Sequence, residues 1–129
     1  MYHKLFVCAA LVLTGTLAYA EGTAVRRVAE KDFDAELAKA TTPVVVDFYA
    51  DWCGPCRLMS PIVERQAAAY SGKITFFKVN VDQAPGLSDR LGIEGIPALF
   101  FFKKGKVADS MVGLVPEAQL KMRLDSLAK

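Results

Sequence analysis

Val44-Val45-Val46-Asp47-Phe48-Tyr49-Ala50-Asp51-Trp52-Cys53-Gly54-Pro55-Cys56 is the stretch whose reading decides the fold. Its first six residues form a β-branched and aromatic run, the pattern of a strand buried on both faces. Alternation puts Val44, Val46 and Phe48 on one face and Val45, Asp47 and Tyr49 on the other. A carboxylate in such a run is out of place unless it is paired or functional; the competing reading is an Asp at a strand edge facing water. A long helix is predicted from Pro55 to about Tyr70, closed by Ser71-Gly72. Pro55 suits its first turn, and Pro61 inside it should kink it.

Cys53 and Cys56 therefore fall where a buried strand hands over to a helix. Cysteines at i and i+3 on a first helical turn can approach to disulfide distance. Cys53 is predicted at the helix N-terminus, where unpaired N–H groups and the helix dipole favour a thiolate. Such a thiolate can attack another protein's disulfide. Cys56, one turn in and expected to be more shielded, can attack the mixed disulfide and release the product reduced. Two other readings of Cys-x-x-Cys are half of a zinc site and a structural disulfide. Zinc needs about four ligands, and a bridge closing so short a loop adds little stability.

The N-terminus decides which other residues are available. Met1–Ala20 reads as a secretory leader: Lys4 supplies the positive start, Leu5–Leu17 the uncharged apolar stretch, and Ala18-Tyr19-Ala20 a small-x-small cleavage site. The apolar stretch is shorter than the roughly 20 residues of a membrane-spanning helix. Cleavage after Ala20 leaves residues 21–129 as one exported domain, periplasmic or secreted. It removes His3, the only histidine, and Cys8, so Cys53 and Cys56 remain as the only cysteines. Ser-His and Cys-His nucleophile systems are then excluded, and zinc lacks ligands.

Composition agrees with a single globular domain. The chain has 129 residues, 53% of them apolar and 23% charged, with a formal net charge of +2. No basic excess is present for a phosphate backbone, which argues against nucleic acid as a partner.

Outward from the central stretch, strand and helix signals alternate. A short apolar start at Ala24–Val28 precedes a helix predicted from Lys31 to Ala40, with Phe33, Leu37 and Ala40 on one face. Ile74–Val81 reads as a strand, and Asp82–Gly92 as a loop with a short helix around Leu87–Leu91. Ala98–Phe102 and Val107–Val112 read as strands joined by the tight turn Lys103-Lys104-Gly105-Lys106. Phe100-Phe101-Phe102 is read as core rather than site. A last helix is predicted from Pro116 to Leu127, with Leu120, Leu124 and Leu127 aligned. Strand-helix-strand order implies a parallel crossover, while the hairpin forces antiparallel pairing. The expected architecture is α/β: a central mixed sheet with helices on both faces.

These residues together resemble the thioredoxin family over about Ala24–Lys129. Val44–Cys56 looks like that family's central strand and active-site motif. Gly95-Ile96-Pro97 looks like its loop before a cis-proline, and Phe102–Lys106 with Val112-Gly113 looks like its hairpin and the glycine after its last strand. The resemblance implies the thioredoxin fold. It makes Asp47 the buried proton acceptor for the shielded cysteine, with Lys78 as the lysine near that acid. It implies a substrate surface of Trp52, Gly54, Pro55, Gly95, Ile96, Pro97 and Gly113, with the Ile96 backbone pairing to an extended client segment. Tyr49, Ala98 and Val115 depart from the family pattern, where Trp, Thr and a Ser or Thr helix cap are common. The last should cost the final helix about 1 kcal/mol.

The function implied is a protein-disulfide reductase of the thioredoxin type. It carries two electrons through Cys53 and Cys56 with no bound cofactor or metal. Its expected partners are disulfide-bearing client proteins and a membrane thiol donor, and it is expected to act as a monomer. Competing readings are an oxidase or isomerase of secreted proteins, a binding module with incidental cysteines, and a Cu(I) carrier.

Overall fold

A computed structural model describes residues 24–129. The expected leader Met1–Ala20 and its cleavage site lie outside the described residues. The run at Val44 forms the strand on which the sheet is built. Among the described residues five strands are present: β1 Val25–Arg27, β2 Val44–Tyr49, β3 Thr75–Asn80, β4 Ala98–Lys103 and β5 Lys106–Val112. Their order is β1-β3-β2-β4-β5, with β2 at the centre. β1, β3 and β2 are parallel, whereas β4 runs antiparallel to β2 and β5 antiparallel to β4. This is the thioredoxin fold in its mixed-sheet form.

Because β2 is covered on both sides, its alternate residues feed two separate cores. Val45 joins Met59, Val63, Phe76, Leu99, Phe101, Leu120 and Leu124, beneath helices α2 (Gly54–Ala69) and α4 (Glu117–Leu127). Val44, Val46 and Phe48 join Phe33, Phe77, Leu87, Phe100 and Phe102. That second face is covered by α1 (Phe33–Lys39) and α3 (Pro85–Leu91). Phe100-Phe101-Phe102 is core, as read. It alternates between the two faces, and the Phe48 and Phe100 rings meet edge-on at 5.4 Å. Asp47 shares its face with Val45 and so points toward α2.

Most element boundaries shift from the sequence reading by a residue or two, and the helix starts shift for local reasons. The first helical segment opens as a 3-10 turn at Glu30–Asp32, and α1 proper starts at Phe33. α3 begins at Pro85, two residues before the expected Leu87, because a proline suits a first turn whose N–H groups have no helical partner. In α4, Pro116 is the capping residue and not the first helical one. Its φ of −60° fits a helix, but its ψ of 140° is extended. Val115 therefore does not occupy the cap, and no side chain caps this helix. α2 continues through Pro61 without ending.

Candidate active site

The turn from β2 into α2 places the cysteines. Cys53 is the capping residue of α2, Gly54 and Pro55 form the first turn, and Cys56 closes it. Cys53 and Cys56 are joined in a disulfide with their Cα atoms 5.3 Å apart. The Cys56 N–H donates to Cys53 Sγ at 3.2 Å. A backbone donor is thus aimed at the sulfur expected to carry the thiolate, as a helix N-terminus provides.

The expected difference in shielding is not found. Cys53 is 3% exposed and Cys56 is 5% exposed. Tyr49, Val81 and Ile96 pack against the cluster that the two cysteines form with Ala50. The two cysteines differ in their neighbours instead. Cys56 lines a cavity of about 200 Å³ that also takes in Asp47, Tyr49, Ser60 and Lys78.

Asp47 is 5% exposed, and its Oδ1 has no hydrogen-bond partner among the described residues. Burial away from water raises its pKa from 3.8 to about 7. The positive charge of Lys78 opposes that rise, and Glu64 adds to it. Lys78 lies beside Asp47 because the two are register partners on parallel β2 and β3. A carboxyl group titrating near 7 can take a proton from a neighbouring thiol and return it at the same pH.

The remaining predicted residues gather on the other side of the cysteines. The Ile96–Pro97 peptide bond is cis. The Gly113 N–H donates to the Pro97 carbonyl at 2.7 Å, tying the end of β5 to this loop. Gly113 has φ +90°, which a side chain would strain. At Gly95 an added Cβ would lie 3.2 Å from Val112 Cγ1, so the glycine lets the loop approach β5. Trp52 is 68% exposed. With Gly95 and Ile96 it borders a groove of about 410 Å³. Gly54 and Pro55 are exposed at the tip of α2.

Two contributors were not singled out from sequence. The Trp52 Nε1–H donates to Asp82 Oδ2 at 2.9 Å, and Asp82 is itself held by its own N–H bonding to Asn80 Oδ1 at 3.0 Å. The Asn-x-Asp spacing after a strand is the kind of Asx turn that would have flagged it. Tyr49 was noted only as a departure from the family pattern. Its hydroxyl is buried without a partner among the described residues, and burial pushes its phenol pKa up. Among the described residues no group of three or more His, Cys, Asp or Glu side chains is placed to hold a metal ion.

Fold and site together define an α/β protein built around a vicinal cysteine pair at a strand–helix junction. The thioredoxin family model matches residues 24–126. The chain is 42% identical over 101 residues to the chloroplastic M-type thioredoxin of Pisum sativum, covering 78% of this chain and 59% of that one. It is 41% identical over 103 residues to chloroplastic thioredoxin M2 of Arabidopsis thaliana, covering 80% of this chain and 55% of that one. It is 42% identical over 103 residues to thioredoxin 1 of a Nostoc species, covering 80% of this chain and 96% of that one. The chain belongs to the thioredoxin family. It spans less than two thirds of the length of the chloroplastic relatives it matches.

Proposed function

We propose that this protein is a thiol-disulfide oxidoreductase that reduces disulfides of exported client proteins. The observation that carries the reading is the Cys53–Cys56 disulfide at the start of α2, with the Cys56 N–H on Cys53 Sγ. In the reduced form the Cys53 thiolate attacks one sulfur of a client disulfide. A Cys53–client disulfide forms, and the other client sulfur leaves as a thiolate and takes a proton from water. Asp47 accepts the proton of the Cys56 thiol across the shared cavity. The Cys56 thiolate attacks Cys53 Sγ, releasing the second client sulfur and restoring the Cys53–Cys56 disulfide. The client gains two electrons and the protein loses two.

Trp52, Gly54, Pro55, Gly95, Ile96, Pro97 and Gly113 form the surface that receives the client, with the Ile96 backbone available to an extended segment. Export is supported by Lys4, the apolar stretch Leu5–Leu17 and Ala18-Tyr19-Ala20, together with a family match that begins at residue 24. A reductant outside the cytoplasm needs electrons from inside, which implies a membrane thiol donor. The test has two parts. Purified protein should accelerate insulin-disulfide reduction by a small dithiol. In cells, alkylation should trap Cys53 and Cys56 predominantly as thiols in an exported pool. A pair found fully oxidised in cells, with a strongly oxidising potential, would reverse the direction assigned here.

A further inference from the structure

The groove beside Trp52 carries one charge that nothing offsets. Its apolar walls come from Trp52, Val81, Ile93 and Ile96, and its polar side chains are Ser88 and Glu94. Glu94 is exposed, and among the described residues it is the single ionisable side chain lining this groove. Five carboxylates are matched with cations (Asp34 with Arg90, Glu36 with Arg26, Glu117 with Arg65, Asp125 with Lys121, Asp109 with Arg123), and several others form no salt bridge among the described residues; what sets Glu94 apart is that it lines this groove. Glu94 has no such partner among the described residues. No lysine or arginine of the described residues lines the groove: Arg90 holds Asp34 through two bonds of 3.0 and 2.7 Å, and Arg57 donates to the Asp51 carbonyl at 2.7 Å. The indole that forms the groove wall is pinned by the Asp82 carboxylate, which places a second negative charge against its N–H edge.

Apolar walls, an aromatic face and one unpaired carboxylate are the chemistry that receives a long cationic side chain. Its aliphatic stem lies along Ile93 and Ile96, and its head meets both the indole and the carboxylate. A planar guanidinium suits this better than an ammonium, since it can stack on the ring and bond a carboxylate through two N–H groups. We propose that Glu94 makes this groove a specificity pocket for an arginine in the client polypeptide, close in sequence to the cysteine that Cys53 attacks. Proximity follows from Ile96, which borders the groove and also packs against the cluster of Ala50, Cys53 and Cys56. The inference rests on the function proposed above, and it names the kind of client that the site selects.

The test uses one family of synthetic disulfide peptides carrying arginine or its uncharged isostere citrulline at each of the three positions flanking the cysteine. The ratio between the two peptides on the same protein cancels any general change in activity. At the best position the arginine peptide should have a kcat/KM about five- to tenfold higher at low salt, expressed in KM and shrinking as salt rises. Glu94→Gln should bring the ratio close to one, and Glu94→Arg should favour a glutamate peptide. Affinity for a non-reducible thioether version, read from the fluorescence of the single tryptophan Trp52, should show the same ratios. A ratio of one at every position, or an undiminished ratio in Glu94→Gln, overturns the proposal. If no peptide is reduced but the affinity ratios hold, the pocket stands and the reductase reading fails.

Discussion

Asp47 and Lys78 sit opposite each other on adjacent parallel strands, yet the lysine does not hold the carboxyl group in its usual range. Burial outweighs the charge, and the acid titrates near 7 instead of 3.8. The carboxyl group is therefore divided between its two protonation states at neutral pH, beside the cavity that Cys56 lines.

The raised value makes Asp47 a stability liability with a defined pH window. Below 3.8 the carboxyl group is protonated folded and unfolded, and no penalty exists. Between 3.8 and about 7 the folded state binds the extra proton, so stability falls as pH rises, and above about 7 the penalty is complete. At 1.36 kcal/mol per pKa unit it is on the order of 4 kcal/mol. Asp47→Asn should flatten this dependence, leaving the variant more stable than wild type above pH 7 and little different near pH 4. Turnover should fall because Cys56 loses its base. Urea unfolding at pH 4, 6 and 8, alongside insulin-reduction kinetics, measures both. Equal pH slopes for the two proteins would remove the raised titration, and unchanged turnover would remove the base.

Order of attack is checked by trapping. Cys56→Ser should accumulate mixed disulfides with clients through Cys53, because the resolving thiol is gone. Cys53→Ser should accumulate few. Non-reducing gels of cell extracts distinguish the two, and equal trapping by both variants would contradict the roles assigned to them.

How far the sequence reached can be judged from these same residues. The β2–α2 junction was legible because its signals are local: a β-branched run, a proline in a first helical turn and an i, i+3 cysteine pair. Asp47 was legible because a carboxylate in an apolar run has few uses. The Trp52–Asp82 bond was not, since it joins the ends of two strands that only the sheet order brings together. The even burial of Cys53 and Cys56 was missed for a similar reason. Helix position predicts that the first cysteine is open, but Val81, after β3, and Ile96, before β4, come from distant parts of the chain to pack against the cysteine cluster. The start of α3 at Pro85 is marked by the proline itself, although the leucine spacing alone points to Leu87.

The indole anchor should be separable from the fold. Asp82→Ala leaves Trp52 Nε1 without its acceptor at an exposed site, so the stability change should stay below about 1 kcal/mol. The indole should gain freedom, seen as lower fluorescence anisotropy, and KM for protein clients should rise with kcat retained. Asp82→Asn, which keeps an acceptor oxygen, should restore both. An Asp82→Ala protein with wild-type anisotropy and KM would show that the bond does not position the ring.

Gly113 is the backbone counterpart of that anchor. Gly113→Ala forces a side chain onto φ +90° and should cost about 1–3 kcal/mol, read as a lower urea midpoint at unchanged slope. The strain acts on the N–H that holds the Pro97 carbonyl, so client reduction should weaken too. An unaltered midpoint would mean that the chain turn after β5 relaxes freely.

The sheet order sets a schedule for a growing chain. Once residue 80 is made, β1, β3 and β2 can pair, with β2 at an open margin. That margin is the apolar segment Val44–Phe48, and the only strand that closes it is β4, which begins at Ala98. The loop that lays Ile96 over the cysteines arrives in the same interval. A chain stalled before Ile96 thus combines a sticky, unpaired strand with two thiols that lack their Ile96 cover. That truncated form is where templated aggregation and wrong cross-links would begin, and completing β4 removes both hazards at once.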